Sequence, residues 1–194
     1  MTVRGATAGY TTRPLDADSW GLFAELVERN NGVFGGCWCI GFHGERRTSD
    51  DHRATKEALV RADRAHAALA LDADGVAQGW CQYGSPAELP GIKHRRRYEE
   101  DAPPTPDWRI TCFFVDPRHR GQGVARAALA GALDQIARAG GGLVEAVPEV
   151  TAGRQAPGRF LYSATVELFE QHGFTRVRQV GKHAWIVGRV VARA

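Results

Sequence analysis

A segment in the second half of the chain has the composition of an anion-binding turn. It reads Val-Asp-Pro-Arg-His-Arg-Gly-Gln-Gly-Val-Ala over residues 115–125, between an apolar run and an alanine-rich run. Such a turn places backbone N–H groups at a helix N-terminus, where the helix dipole favours negative charge. Gly121 and Gly123 let the main chain approach a ligand, and Arg118 and Arg120 add positive charge. The pattern predicts a phosphate or pyrophosphate cradle; solvated arginines at a glycine-containing helix start are the alternative.

Two other phosphate motifs do not fit this segment. A dinucleotide fingerprint requires a third glycine at the position where Arg126 stands. A Walker loop requires Gly-Lys followed by Ser or Thr, and no such tripeptide follows the glycines. The segment therefore predicts an anion site of a different class.

The elements around the segment must place it at the end of a strand of a sheet. Residues 108–115 (WRITCFFV) form a near-continuous apolar run, which predicts a buried central strand. Residues 123–139 carry apolar side chains at helical spacing and predict an amphipathic helix. The other predicted elements of this half are a strand over 143–147, a helix over 159–172, and a hairpin over 176–180 and 184–191.

The first half supplies the remaining elements of one mixed sheet. Its predicted elements are a strand near 8–13, a helix from Asp16 or Asp18 to about Asn30, a loop over 31–48, a helix capped by Ser49 or Asp50 and running to about Ala67, a hairpin over 68–71 and 76–83, and an irregular connection over 84–107. The order β-α-α-β-β-β-α-β-α-β-β predicts an α/β fold with a single sheet.

Composition and charge exclude several classes of protein. The 194 residues are 43% hydrophobic and 24% charged, which is typical of a globular protein and predicts one domain over residues 1–194. The net charge of +3 is too small to indicate a nucleic-acid binder. Residues 1–103 carry 13 basic and 15 acidic side chains, whereas residues 104–194 carry 12 and 7. The positive excess therefore falls in the half that contains the predicted cradle.

The chain shows no sign of a membrane or secretory segment. No stretch reaches the roughly 18 apolar residues needed to span a bilayer, and the N-terminus has no apolar signal core. We therefore expect a cytoplasmic protein without a membrane partner. Its four cysteines are then expected to be reduced thiols. The Cys37-Trp-Cys39 spacing is shorter than zinc ligands usually have, so no metal is predicted.

At three places, in the right order, the chain resembles the GNAT superfamily of N-acetyltransferases. Residues 120–125 (RGQGVA) match its Arg/Gln-x-x-Gly-x-Gly/Ala signature, and residues 115–117 match the end of the preceding strand. Residues 169–174 (FEQHGF) are similar to its Tyr-x-x-x-Gly-Phe pattern. The resemblance covers residues 108–178. It implies an α/β fold with a mixed, mostly antiparallel sheet, whose splayed central strands are flanked by helices.

The resemblance implies acetyl-CoA as cosubstrate. The main-chain amides of residues 120–125 would hold the pyrophosphate, and the strand before them would pair with the pantetheine arm. One N–H group of that strand would polarise the thioester carbonyl. The amine would enter the gap between strands 108–115 and 143–147 and attack directly in a ternary complex. The implied cofactor-binding residues are Phe113, Phe114, Val115, Arg120, Gly121, Gln122, Gly123, Val124 and Ala125.

Direct attack requires a general base for the amine, and a general acid assists departure of the thiolate. Glu145, on the strand beside the gap, is the first candidate base, and Asp107, at the start of the central strand, is the second. Alternatively, Glu145 is a solvent-facing strand residue and Asp107 is a turn residue, and neither takes part in catalysis. Water-mediated deprotonation would need neither residue alone.

The candidate acid is where the sequence departs from the family pattern. Phe169 occupies the usual tyrosine position and has no proton to donate. Tyr162, two turns earlier in the predicted helix and on the same face, is the candidate that replaces it. Ser163, Thr165 or unassisted departure are the alternatives.

The aromatic residues Trp38 and Phe42 of the first long loop predict an acceptor pocket, with a hydrophobic plug as the alternative. Together these features predict an acetyl-CoA-dependent N-acetyltransferase that acts on a primary amine of a small molecule, with no nucleic-acid partner. The resemblance also allows a homodimer. Because Phe169 replaces the tyrosine, a catalytically weak acyl-CoA-binding or regulatory module is the alternative function.

Overall fold

The computed structural model describes residues 9–47, 50–101, 103–151, 153 and 161–194. Its strands are β1 (Thr11–Pro14), β2 (His66–Leu71), β3 (Ala77–Gly84), β4 (Trp108–Val115), β5 (Gly142–Ala146), β6 (Thr175–Gln179) and β7 (Trp185–Val191). They form one sheet in the order β1-β2-β3-β4-β5-β7-β6. Only β4 and β5 pair in parallel, and every other neighbouring pair is antiparallel. The predicted mixed, mostly antiparallel sheet is confirmed.

The helices of the described residues are α1 (Trp20–Glu28), α2 (His52–Arg61), α3 (Arg95–Glu99), α4 (Val124–Arg138) and α5 (Val166–Glu170). The order of elements along the chain is the predicted one with a single addition, because α3 lies inside the connection expected to be irregular. Residues 91–93 and Tyr98 of this connection lie close to Glu145 of β5.

The first two helices begin and end differently from the prediction. Ser19 precedes α1, and its backbone N–H donates to Asp16 Oδ1 at 2.8 Å. At α2 the cap is Asp51, whose Oδ1 accepts from the Ala54 N–H at 2.9 Å. The prediction that α2 continues to Ala67 is wrong, because its last residues belong to β2 and pair with β3. Pairing along the sheet therefore overrides the local helical pattern there.

The helix predicted over 159–172 is much shorter in the structure. α5 begins only after Thr165, whose side chain accepts from the Leu168 N–H at 3.2 Å. Ala164 has a φ of +58°, which a right-handed helix does not allow. Residues 161–164 instead form a turn, in which the Ala164 N–H donates to the Leu161 carbonyl at 2.8 Å, while residues 159 and 160 lie outside the described residues.

The sheet is covered on both faces. α4 and α5 pack on one face, in a cluster that contains Phe113, Leu129 and Phe169. α1 and α2 pack on the other face with the loop between them, in a cluster that contains Trp80 and Phe114. β4 supplies Ile110 and Phe113 to the first cluster and Cys112 and Phe114 to the second, so burial on both faces explains why most of this strand is apolar.

The two central strands separate part way along their length. β4 and β5 pair only at Trp108–Val144, Arg109–Glu145 and Ile110–Ala146. β5 ends there, whereas β4 continues to Val115. The second half of β4 therefore has no strand beside it on this edge, and the predicted splayed central strands are confirmed.

Among the residues that the structure describes, no helix is long and apolar enough to cross a membrane.

Candidate active site

A cavity of about 390 Å³ lies between the unpaired end of β4 and the first turn of α4. Every predicted cofactor-binding residue except Gln122 lines it. Gln122 is directed elsewhere, since its Nε2 donates to the Arg118 carbonyl at 3.1 Å. The rest of the wall lies outside the predicted cofactor-binding set and consists of Phe34, His119, Arg126, Leu161, Ala164, Thr165 and Leu168. Of these, Phe34 belongs to the aromatic loop predicted to form the acceptor pocket, and Thr165 is an alternative acid candidate.

The backbone of this cavity is open to a ligand at its glycines. Gly121 and Gly123 have φ values of +74° and +90°, and a Cβ at either position would meet no heavy atom within 4 Å. Gly123 is the N-cap of α4, and no described side chain caps this helix. The first N–H groups of a helix have no acceptor within it and carry the positive end of its dipole. The residues present therefore fit a diphosphate.

The two arginines of the motif have different roles. Arg120 lines the cavity, but Arg118 does not. Instead, Arg118 donates from its Nε and its Nη2 to the buried Asp116 carboxylate, at 3.0 and 2.8 Å. Arg29 of the segment after α1 donates to the same carboxylate at 3.1 Å. The expectation that Arg118 adds charge to the cradle is therefore wrong, whereas Arg126 lines the cavity.

Asp116 joins the motif to the rest of the fold. Its side chain is completely buried. The hydrogen bonds from Arg118, followed by those from Arg29 and Asn30, outweigh burial and hold the pKa of the carboxyl well below its usual range. The ionised Asp116 thus attaches the turn to α1 across the end of β3.

One main-chain donor of the cavity already has an acceptor. The Phe113 N–H, on the unpaired half of β4, donates to the Tyr162 carbonyl at 2.6 Å. The turn before α5 therefore lies against the strand whose N–H groups the family resemblance assigns to a thioester and a pantetheine arm. A ligand that uses the Phe113 N–H must displace this bond.

A second cavity, of about 500 Å³, lies on the α1–α2 side of the sheet. Phe34 lines both cavities, so they meet at this ring. A narrow cleft continues from the second cavity and shares Phe42, Ile92 and Lys93 with it. Arg109 and Glu145 line the inner end of this cleft, at the point where β4 and β5 separate.

Glu145 is a buried carboxylate at that point. It is 5% exposed, and its Oε2 accepts from the Tyr98 hydroxyl at 3.1 Å. Arg109 Nε lies 3.9 Å from its Oε1, beyond hydrogen-bond distance. Burial raises the pKa of Glu145, and the Tyr98 hydroxyl and Arg109 offset this only in part. A carboxyl with a raised pKa beside a cleft is suited to accept a proton near neutral pH.

Tyr162 reaches the second cavity by a route that the sequence analysis did not predict. It precedes α5, so it does not share a helical face with Phe169. Its ring centroid lies 6.2 Å from that of Phe34 and 6.1 Å from that of Phe42. The Lys93 Nζ lies 5.1 Å from the Tyr162 ring centroid. Phe169 is fully buried in the core and lines neither cavity.

Two other predicted site residues have structural contacts. Asp107 Oδ2 accepts from the Leu143 N–H at 2.7 Å, at the closed end of the β4–β5 pair. Trp38 stacks on Trp20 with centroids 6.1 Å apart and is 9% exposed. Neither residue is among those that line the two cavities and the cleft. Of the predicted acceptor pair, only Phe42 faces the second cavity.

Comparison with known proteins identifies similar families and folds. A model of the Acetyltransferase (GNAT) family matches residues 38–174. The fold is similar to a structure described as histone acetyltransferase HPA2 and related acetyltransferase from Corynebacterium glutamicum (17% identity, 96% of this chain and 98% of that one, TM-score 0.56). It is also similar to phosphinothricin acetyltransferase from Sinorhizobium meliloti in complex with AcCoA (14%, 95% and 90%, 0.52). No curated protein sequence matches significantly.

We expect Asp116→Asn to destabilise the fold by about 2 kcal/mol at neutral pH, because it weakens charge-assisted hydrogen bonds to a buried carboxylate. Since the folded pKa is lowered, this stabilisation is complete above the unfolded pKa of about 4 and is lost as pH falls further. Urea unfolding of both proteins from pH 7 to pH 2 measures the difference. Asp134→Asn, which removes an exposed pair with Arg138, is the control and should change stability by less than about 0.5 kcal/mol. A constant difference at all pH values would contradict the assignment.

Proposed function

The chain belongs to the acetyltransferase (GNAT) family, and on that premise we propose that it moves an acetyl group from acetyl-CoA to a primary amine of a small molecule. The amine attacks directly in a ternary complex. The observation that supports this most strongly is the meeting of two cavities at Phe34, beside the unpaired half of β4. One cavity has the donors for a diphosphate, and the other has a buried carboxylate in the adjoining cleft.

Acetyl-CoA supplies an activated acyl group as a thioester. The residues that would hold it are the eight predicted ones that line the first cavity, with Arg126 and His119 added. The amides at the start of α4 bind the diphosphate, and Arg120 and Arg126 neutralise part of its charge. The N–H groups of the unpaired half of β4 orient the acyl arm once the Tyr162 carbonyl releases Phe113.

A small acceptor is favoured by the shape of the second cavity. Phe34, Phe42, Ile92 and Tyr162 supply apolar walls, as is typical of small-molecule sites. The volume of about 500 Å³ suits a compact molecule. The similar fold of an acetyltransferase named for phosphinothricin, a small molecule, supports the same class.

Glu145 is the proposed general base. Its raised pKa and its place at the inner end of the cleft suit removal of a proton from the incoming ammonium group, directly or through water. We favour it over Asp107, whose carboxylate is already bonded to the Leu143 N–H. Tyr162 is the proposed general acid, since its ring stands where the two cavities meet.

From the sequence and the resemblance we also propose a cytoplasmic location and a homodimeric state. The first is supported by the expectation that the four cysteines are reduced thiols.

Gly123→Trp should weaken acetyl-CoA binding roughly 10- to 100-fold, because the indole would project into the diphosphate site. Calorimetry should show no comparable loss for S-acetylpantetheine, which lacks the diphosphate. Gly75→Trp is the matched control, since Gly75 also has a positive φ and open space but lies in the β2–β3 turn. Equal losses in both variants, or none in either, would contradict the cradle.

Glu145→Gln should lower kcat by about 10²- to 10⁴-fold while acetyl-CoA binding stays unchanged. In the unmodified enzyme, activity should fall with decreasing pH through a pKa above the usual glutamate range, because only the carboxylate can accept a proton. That limb of the pH profile should vanish in the variant. Glu99→Gln, at an exposed glutamate paired with Arg95, is the control. An unchanged rate and profile would exclude Glu145 as base.

Tyr162→Phe should lower kcat at least about tenfold with acetyl-CoA, because the departing thiolate loses its proton donor. A donor with a more acidic leaving thiol should restore much of the rate. Tyr83→Phe is the control, since its hydroxyl bonds Gln135 on α4. A loss that the better leaving group does not reduce would assign Tyr162 a packing role.

The proposal as a whole is tested by acetyl-CoA turnover against a panel of small amines. Tight binding without turnover on any amine would favour the acyl-CoA-binding module instead.

A further inference from the structure

The α1–α2 face of the sheet contains a buried lysine that has no carboxylate partner. Lys56 of α2 is 0% exposed. Its Nζ donates to Gln82 Oε1 at 2.8 Å and lies 3.3 Å from His43 Nε2. None of the ion pairs that the described residues form includes Lys56, and Glu88, which acts on it from farther away, is paired with His66. An ammonium group this deeply buried needs a nearby negative charge to remain ionised.

Two thiols lie beside Lys56. Its Nζ lies 3.5 Å from the Cys39 carbonyl, and the side chain of Cys39 is hydrogen-bonded to that of Cys112 on β4. Burial by itself would raise the pKa of Cys39, but the Cys112 hydrogen bond and the Lys56 charge more than offset it, so the pKa is lowered. The same hydrogen bond and burial raise the pKa of Cys112. Burial lowers the pKa of Lys56, and the charges of Cys39, Glu88 and Cys112 offset this only in part. A pair of hydrogen-bonded thiols therefore lies beside the Lys56 amino group, and Cys39 is the more readily ionised of the two.

This thiol pair belongs to the buried cluster on the α1–α2 face, with Cys39 3% and Cys112 5% exposed, but it also borders a cavity. Cys37, Cys39 and Cys112 all line the cavity of about 500 Å³, together with His52. Cys81 differs, since it is fully buried in the α4 cluster on the opposite face. The parts of the chain that the structure describes contain no group of three or more His, Cys, Asp or Glu arranged to hold a metal ion. The arrangement therefore suits a small electrophile.

We propose that Cys39 and Cys112, with Lys56 beside them, form a redox-active dithiol site that reacts with hydroperoxides. Two hydrogen-bonded thiols, a buried cation and access from a cavity are the features of reactive cysteine sites. This activity is separate from acetyl transfer and does not depend on it.

The reaction balances with the peroxide as oxidant. The Cys39 thiolate attacks the outer peroxide oxygen, the O–O bond breaks, and a sulfenic acid forms on Cys39. The alkoxide that leaves takes up the proton that Cys39 released when it ionised. The Cys112 sulfur then attacks the Cys39 sulfur, and the hydroxyl leaves as water with the Cys112 proton. Two thiols and one hydroperoxide thus give one disulfide, one alcohol and one water.

The disulfide would tie the loop after α1 to β4. Because these two segments form opposite walls of the acceptor cavity, its formation would also change the shape of that cavity. Any effect on acetyl transfer rests on the proposed function, whereas disulfide formation can be measured without it.

The test is to treat the full chain with hydrogen peroxide and map its peptides without reduction. A Cys39–Cys112 crosslink, reversed by dithiothreitol, is the expected product. Cys112→Ala should instead accumulate a Cys39 sulfenic acid, which dimedone captures. Lys56→Met should slow the oxidation roughly tenfold for each unit by which the pKa of Cys39 rises. Because it replaces a buried charge by an apolar side chain, this variant should still fold.

Cys81→Ala is the matched control and should leave the crosslink and its rate unchanged. A disulfide between other cysteines, dimedone capture at Cys112 in place of Cys39, or an unaltered rate in Lys56→Met would each overturn the proposal. If the crosslink forms but acetyl transfer is absent both before and after oxidation, the dithiol site stands and the proposed function fails. If transfer occurs and no crosslink forms, the reverse holds.

Discussion

The separation of two parallel strands is the constraint on which the rest of this molecule depends. β4 and β5 share only three paired positions, and the remaining half of β4 has main-chain groups without a neighbouring strand. Buried main-chain groups need partners, so this open edge has to be satisfied by something other than a strand. The turn before α5 does so at Phe113, through the Tyr162 carbonyl. Both cavities and the adjoining cleft lie around the gap that remains open between β4 and β5.

Three charged residues around this gap, Asp116, Glu145 and Lys56, are buried, and each has identifiable contacts. Asp116 is bonded to two arginines and an asparagine and fastens the turn that precedes α4. Glu145 accepts a hydrogen bond from the Tyr98 hydroxyl, whereas Arg109 lies beyond hydrogen-bond distance. Lys56 has only neutral oxygen and nitrogen partners besides the nearby thiols. The first arrangement stabilises an ionised group, whereas the other two leave groups that are costly to ionise and are therefore suited to chemistry.

The sequence predicted the parts of the fold that depend on local patterns. The apolar run over 108–115 identified β4, and the glycines before α4 identified the cradle, because both signals come from neighbouring residues. Predictions failed where distant residues compete. α2 ends at Arg61, before residues 66 and 67 enter β2 and pair with β3. Arg118 leaves the cradle because Asp116 is buried two residues away, with Arg29 on its other side. Tyr162 reaches the cavity from a turn, and Ala164 adopts a positive φ that ends any helical path.

By itself the sequence determined the order of the elements, the position of the glycine turn and the likeness to acetyltransferases, because spacing and residue type are sufficient for these. Only the tertiary structure decided which side chains meet. It brought Phe34 of the predicted acceptor loop to the junction of the two cavities, and it placed Trp38 of the same loop in the core. It also set Cys39 beside Cys112, which lies 73 positions later in the chain, with Lys56 next to both. Such contacts depend on how strands and helices pack across the sheet, and no local pattern in the chain records that.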